Sequence, residues 1–538
     1  MKRRNFIQLS AITGAIPFLG IKACAPTESS TESNNTEEQP FELEEWTVAQ
    51  LQEAMESGTY TSRQICELYL KRIEEKDQSK GGLNSVIETN PDALSIADQL
   101  DLERSEGKVR GPLHGIPVMI KDNIDTGDKM MTTAGSMALA GSAAPDDAFI
   151  IKKLRESGAV LLGKTNLSEW ANFRSFRSSS GWSGRGRQTR NPFALDRNPC
   201  GSSAGSGSAV SGNMCALTIG TETNGSIVCP SSANGVVGIK PTVGLWSRDG
   251  IIPISETQDT AGPMGRTVAD AVSLLGACVG VDEADKRTLE SEGNYYPDYS
   301  QFLDKNGLQG RRLGVLEGTI GYHERVDEIM ERAFVAMEAQ GATLVKDVKL
   351  YENDAYGNSG LELLLYEFKD GLNKYLDSRP DAKVKSLADV IQFNKDNADL
   401  EMPYFPQGIL ERAENKGPLT DEEYKEHLKV VTEVSRNGID NVMKEHNLDA
   451  IIGVTGGPAW PIDVINGDHF GTGSSTPAAR SGYPNITVPA GFVHGLPVGM
   501  SIFAGKYEEP KLISIAYAFE QATKVRKAPK LVPTLDLT

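Results

Sequence analysis

From Cys200 to Gly244 the chain threads glycine and serine through apolar residues. No other stretch limits the fold as strongly. It opens with a Gly/Ser-rich run, Gly201 to Gly212, and continues through Leu217-Thr218-Ile219. The loop Gly220-Thr221-Glu222-Thr223-Asn224-Gly225-Ser226-Ile227 comes next, and then Gly235-Val236-Val237-Gly238-Ile239-Lys240-Pro241-Thr242. A flexible linker would have a solvated composition; here apolar residues recur throughout, so the segment must be packed. Glycines in packed backbone allow close approach of chains or a positive φ. This is the densest run among the 54 glycines of the 538-residue chain.

Around that segment, helical and strand-like patterns alternate. Thr47 can cap a helix carrying Val48, Leu51 and Met55, and Ser62 one carrying Ile65, Leu68 and Ile73. A helix over about 147–157 leads into Ala159-Val160-Leu161-Leu162, and Thr267 opens another with Val268, Ala271, Val272 and Leu275. Short β-like runs fall at Leu113–Ile120, Ala216–Ile219, Leu313–Leu316, Asp449–Val454, Ile486–Val488 and Val498–Phe503. Such alternation predicts an α/β protein: one large domain with a central mixed, largely parallel β-sheet covered by helices on both faces. Residues 358–447 are charged and helical, with a capping box at Thr420–Glu423, and read as an elaboration beside the sheet, forming part of a substrate entrance.

The formal charge is −18, which disfavours nucleic acid as a partner. Six cysteines in this length cannot make a disulfide scaffold. No apolar run reaches the length of about 18 residues that a spanning helix needs.

The N-terminus reads as an address. Lys2-Arg3-Arg4 precedes Phe6-Ile7, an apolar segment from Leu9 to Gly20, and Ala23-Cys24-Ala25. That order makes residues 1–25 a signal peptide of twin-arginine type. Two processing readings stand. Ala23-Cys24-Ala25 suits cleavage to a released protein, while Ile21 to Cys24 resembles a lipobox that would leave Cys24 lipidated; we favour the second. The Ser/Thr/Glu/Asn-rich residues 26–42 form a tether, and 43–538 the catalytic domain. The expected location is the periplasm or cell envelope.

Two motifs mislead. Gly158 to Thr165 matches a phosphate-binding loop, but a helix precedes the first glycine and the intervening residues are strand-like. Gly201-Ser202-Ser203-Ala204-Gly205 matches a nucleophile elbow, which needs a strand directly before it; a loop with Pro192 and Pro199 stands there instead. Upstream, Gly115-Ile116-Pro117-Val118-Met119-Ile120-Lys121 is an apolar strand ending on a lysine, at the strand end where open α/β sheets place their sites.

Together with Thr132-Thr133-Ala134-Gly135-Ser136, Gly163-Lys164-Thr165-Asn166 and Pro484-Asn485-Ile486-Thr487-Val488-Pro489, these segments resemble the amidase signature family, serine hydrolases that cleave carboxamides. The likeness runs from about Trp46 to the C-terminus. It implies a catalytic lysine at Lys121, a bridging serine on a cis peptide at Ser202 and a nucleophile at Ser226, with the family's 24-residue serine spacing kept. It also implies an oxyanion hole from the backbone of Thr223, Asn224, Gly225 and Ser226. The family's usual G-G-S-I-R reads Asn224-Gly225-Ser226-Ile227-Val228 here, and its preceding Asp is Glu222. Asn224 is expected to tolerate a positive φ.

The chemistry implied is a relay from Ser226 through Ser202 to a neutral Lys121, which requires burial to lower the lysine pKa by about 3 units. No cofactor or metal is expected, and no obligate protein partner; contact with a membrane would come only through a lipid at Cys24. The stretch Gly181 to Pro192, with the two serine segments, looks most like the peptide amidase branch, which removes C-terminal amides from peptides. Three alternatives stand: activity on other small or fatty amides, a glutamyl-tRNA amidotransferase A-like subunit, or an inactive cell-surface binding protein. Two points stay open. Arg174, Arg177, Arg185, Arg187, Arg190 and Arg197 form either a solvated loop or a substrate contact, and Cys200 and Cys229 either pair or remain buried thiols.

Overall fold

Eleven strands form the central sheet of the computed structural model, which describes residues 41–352 and 354–537. The signal peptide 1–25, with Cys24, and the tether up to residue 40 lie outside the described residues. In chain order the strands are β1 (Val86–Thr89), β2 (Pro117–Lys121), β3 (Val160–Thr165), β4 (Leu217–Glu222), β5 (Val237–Lys240), β6 (Thr260–Gly265), β7 (Arg312–Leu316), β8 (Thr343–Val348), β9 (Ala450–Val454), β10 (Asn485–Val493) and β11 (Leu496–Phe503). Their spatial order is β1-β3-β2-β4-β6-β5-β10-β11-β9-β7-β8.

The sheet is mixed, as expected. β3, β2 and β4 form one parallel block and β9, β7 and β8 another. Antiparallel pairs make the remaining joins. The parallel blocks arise from strand–helix–strand crossovers. β10 and β11 instead form a hairpin whose turn residues, His494 and Gly495, both have positive φ (46° and 84°), matching the twist of the flanking strands. β2, β3, β4, β5 and β6 are buried at every residue, as expected of strands covered on both faces.

Local signals are only partly right. Thr47 caps helix α1 (Val48–Glu56) in a capping box with Gln50, and Thr267 caps the helix Val268–Ala277. In the second helix, Ser62–Arg72, the cap is Thr61; the Ser62 hydroxyl donates instead to the Gly115 carbonyl at 2.8 Å. The expected box at Thr420–Glu423 does not form, since the helix Glu422–Glu445 begins behind Asp421 without a side-chain cap. Residues 358–447 are helical: Ser359–Asp377, Leu387–Asp396, Ala398–Glu401, Gly408–Glu414 and Glu422–Glu445. They pack on their own apolar cluster, in which Leu365, Phe368, Leu372 and Leu376 meet Leu139, Trp170 and Ile254.

The phosphate-loop match resolves as a turn and a strand. Gly158 (φ +78°) follows the helix Phe149–Glu156, and residues 160–165 are β3. Lys164 is fully buried, its ammonium donating to the Ile124 carbonyl at 2.9 Å and to Thr132 Oγ1 at 2.7 Å.

Candidate active site

β2 and β4 are parallel neighbours, with Ile120 opposite Ile219, so the ends of both strands open at the same edge of the sheet. Lys121 ends β2 and is fully buried. Its Nζ lies 2.8 Å from Ser202 Oγ, 2.8 Å from Thr221 Oγ1 and 3.2 Å from the Thr221 carbonyl. Burial lowers its pKa from 10.5 to about 7, against the opposing pull of the Asp259 and Glu222 carboxylates. Asn123 closes this shell, donating from Nδ2 to Thr221 Oγ1 at 3.0 Å.

Ser202 follows a cis Gly201–Ser202 peptide and is fully buried; its carbonyl accepts from Ser168 N at 3.0 Å. Ser203 N donates to the Ser226 carbonyl at 3.2 Å, which brings the two serine segments together. A disulfide between Cys200 and Cys229, with Cα atoms 6.0 Å apart, ties the same segments a second time, so of the two open readings the pair is formed. Ser203 does not behave as an elbow nucleophile. Its hydroxyl accepts from Thr221 N at 3.1 Å and donates to the Thr221 carbonyl at 3.0 Å, so it serves as a rivet on β4. Among the described residues no histidine is hydrogen-bonded to Ser202, Ser203 or Ser226.

The loop Thr223–Ser226 is held from both sides. Glu222 accepts from Ile227 N at 2.8 Å and Val228 N at 3.1 Å, so the carboxylate in place of the family's Asp spans the turn. Thr223 Oγ1 donates to Asp259 at 2.5 Å, and the Thr223 carbonyl accepts from Gln258 Nε2 at 3.1 Å. Asp259 also accepts from Ile254 N and Ser255 N, at 2.7 and 2.8 Å. Among the described residues the N–H groups of Asn224, Gly225 and Ser226 donate to no protein acceptor. The positive φ expected at Asn224 falls on Gly225 instead (+87°). The Asn224 side chain faces the segment before Ser481, accepting from Ser475 Oγ at 2.8 Å and donating to Thr476 Oγ1 at 3.3 Å. Val228, where the family carries arginine, is fully buried.

A cavity of about 600 Å³ reaches this shell, lined by Asn123, Ala171, Thr221, Thr223 and the apolar Ile252 and Ile254. Glu367, Gly371 and Lys374 of the helical elaboration line it too. On its border Trp170, Ala171 and Asn172 all have left-handed φ (52°, 53° and 69°). That conformation costs roughly 1–2 kcal/mol per non-glycine residue, a degree of strain that tends to gather at functional sites.

The arginines of residues 174–197 are mostly spent inside the protein. Arg174 is fully buried, pairs with Glu169 at 3.0 Å and stacks over Trp182 and Phe405. Arg185 pairs with Glu88 and, at 3.3 Å, with Asp122, which in turn accepts from Gly135 N at 3.2 Å and so shapes the Thr133-Ala134-Gly135 turn. Arg190 Nη1 donates to the Gly82 carbonyl, Arg187 Nη1 to that of Leu400, and Arg197 pairs with Asp196. Arg174 and Arg185 are thus taken up by internal ion pairs, while Arg177 and Arg187 stay exposed.

Sequence reasoning passed over Thr221, Asn123, Gln258 and Asp259. Thr221 lies in the loop Gly220 to Ile227 and Asn123 two residues past the Lys121 strand, but only the pairing of β2 with β4 shows that they meet. Among the described residues Glu362, Glu423 and His427 could together approach a metal ion. Lys416 Nζ already lies 2.5 Å from Glu362 and 3.3 Å from Glu423, in the place a cation would take.

A family model described as Amidase matches residues 64–513. A probable amidase of Arabidopsis thaliana is 43% identical over 502 residues, covering 91% of this chain and 93% of that protein. The native peptide amidase of Stenotrophomonas maltophilia superposes with a TM-score of 0.88 at 46% identity, covering 91% of this chain and all of that one. A glutamyl-tRNA(Gln) amidotransferase A-type subunit from Clostridium kluyveri is 32% identical, with 89% and 95% covered.

Proposed function

The chain belongs to the amidase signature family of amide-hydrolysing enzymes, and from that premise we propose that it hydrolyses C-terminal peptide amides through Ser226, Ser202 and Lys121. The observation carrying the assignment of roles is the buried Lys121 ammonium group, 2.8 Å from Ser202 Oγ and titrating at about 7. A serine hydroxyl attacks a carbonyl only if a base takes its proton during the attack. Neutral Lys121 has two N–H bonds and one lone pair. The Thr221 carbonyl can only accept, so it takes one N–H, and Thr221 Oγ1 takes the other. The lone pair is then left for the Ser202 hydroxyl proton, and Ser202 Oγ is free to accept from Ser226.

Attack by Ser226 Oγ on the amide carbon forms a tetrahedral oxyanion, facing the unpaired N–H groups of Asn224, Gly225 and Ser226. One such donor is worth about 3 kcal/mol in the transition state. The proton taken up by Lys121 returns through Ser202 to the leaving nitrogen, which departs as ammonia. Water then attacks the acyl-enzyme along the same relay and releases the acid. The cavity beside Thr221 and Thr223 would receive the acyl part of the substrate.

The peptide substrate is supported by the 46% identity and near-complete overlap with a peptide amidase, against 32% for the tRNA-dependent amidotransferase. An exported location is supported by Arg3-Arg4 with the apolar run after it, and by a disulfide of the kind that persists in oxidising compartments. Labelling the mature N-terminus tests whether Cys24 carries lipid. Ammonia release from a panel of amidated peptides, free amino-acid amides and fatty amides tests the substrate. Peptide amides should be turned over with the highest kcat/KM. Release from fatty amides alone would reassign the substrate, and release from none would return the chain to the binding-protein alternative.

A further inference from the structure

Residues 457–472 form a loop rooted by the Gly456–Gly473 bridge, and two residues past that root Ser475 bonds Asn224 of the proposed oxyanion loop. Asp468 pins it down, accepting from Ser180 N at 2.9 Å, Asn198 Nδ2 at 3.2 Å and Trp460 Nε1 at 3.2 Å. Trp460 packs on the Cys200–Cys229 pair. Phe470 meets Trp460 edge to face at 6.0 Å, yet 51% of it stays exposed. Tyr322, 57% exposed, lies against Gly471, where any Cβ would overlap its phenol. Two exposed aromatic side chains are thus held in place by glycines and by the hydrogen-bonded carboxylate of Asp468. The chain then runs from Phe470 through Gly473 to Ser475, the residue that bonds Asn224 and stands 3.1 Å from where a Gly225 Cβ would be. The floor beneath Phe470 is bare. A Cβ on Gly456 would lie 3.8 Å from the Phe470 ring, and one on Gly457 would meet nothing within 4 Å.

Exposed aromatic surface held rigid next to a reactive loop marks a binding surface. We propose that Phe470, Tyr322 and the Gly456–Gly457 floor form a subsite for an apolar side chain of the acyl half of the substrate. On this basis the enzyme selects amidated peptides with an apolar or aromatic residue among their last two positions. This rests on the peptide-amide reading above. The occupant follows from the place of the subsite: the leaving group is only ammonia, so any substrate part reaching past the oxyanion loop belongs to the acyl chain. The surface offers two exposed rings over bare backbone, so an apolar side chain suits it.

The test is ammonia release from N-acetylated dipeptide amides carrying Gly, Asp, Leu or Phe in either position, for the wild-type enzyme and for Phe470→Ser, Phe470→Leu and Gly457→Val. The wild type should favour Leu or Phe over Gly by about tenfold in kcat/KM in at least one position, a typical return for burying a small apolar group. Phe470→Ser and Gly457→Val should bring that ratio close to one, mainly through KM, and Phe470→Leu should restore most of it. A merely structural role for Phe470 would lower every substrate alike and leave the ratio intact, which overturns the subsite. A wild type that turns over these amides with no side-chain preference also overturns the subsite while sparing the peptide-amide reading. A wild type inactive on all of them overturns that reading, and the subsite with it.

Discussion

Thr221 meets Lys121 twice, with its hydroxyl at 2.8 Å and its carbonyl at 3.2 Å from the same nitrogen. With the carbonyl holding one N–H and the hydroxyl oxygen the other, the lone pair of the neutral amine is directed at Ser202. With the lysine pKa near 7, the base is mostly protonated below that pH and mostly free above it. The kcat/KM should rise about tenfold per pH unit below pH 7 and level off above it. A flat profile between pH 5 and 9 would contradict a lysine base.

The same shift has a cost in stability. Lowering a lysine from 10.5 to about 7 means that the folded protein binds its proton about 5 kcal/mol less well than the unfolded chain does. The folded pKa is the lower one, so the full cost is felt below pH 7 and is relieved progressively as pH rises towards 10.5. Lys121→Met should therefore be inactive. Its gain in unfolding free energy over wild type should be larger at pH 6 than at pH 9, by about 2–3 kcal/mol. Denaturant melts of both proteins at the two pH values measure that difference, and a difference independent of pH would mean that the lysine is not neutralised by burial.

The three serines should separate cleanly. Ser226→Ala should lower kcat by roughly 10⁴-fold or more, with Ser202→Ala close behind. Ser203→Ala removes two bonds to β4, so its loss should appear in the melt, at about 1–2 kcal/mol, with activity reduced much less. Wild-type activity in Ser226→Ala, or a collapse of kcat in a stable Ser203→Ala, would move the nucleophile.

Cys200 and Cys229 lie 29 residues apart in sequence, and closing a loop of that size is worth about 3–4 kcal/mol in the chain-entropy account. The Cys200→Ser/Cys229→Ser double variant should melt earlier by that amount. Reductant should shift the wild type towards it and leave the double variant unmoved.

Gly225 is the one residue of the oxyanion loop with a left-handed φ. Gly225→Ala adds strain there and a Cβ 3.1 Å from Ser475 Oγ, and tilting the N–H groups by even a small angle weakens their hold on the oxyanion. The expected result is a 10²–10³-fold lower kcat with KM little changed, measured on one amidated peptide.

The parts of this molecule that local chemistry determines could be read from its residues. The strand ending on Lys121, the helical elaboration and the packed glycine segment all came from pattern and composition. Thr260–Gly265, by contrast, is a strand carrying two glycines and a proline, buried on both faces, and it has no alternation to betray it. Thr343–Val348 is a largely exposed edge strand that looks polar for the opposite reason. The arginines of 174–197 found partners such as Glu88 and Glu169 that no local rule connects to them. Asp259 likewise reaches Thr223 only because β4 and β6 are paired.

Lys121 and Thr221 sit at the ends of adjacent parallel strands, and inter-strand hydrogen bonds set the spacing of such neighbours at about 4.8 Å whatever the loops do. The proposed base is therefore gauged by the most invariant ruler a protein possesses. Ile252 and Phe470, by contrast, stand on connecting segments. Insertions and exchanges there can reshape the surroundings of the site while the proposed proton relay is inherited unchanged.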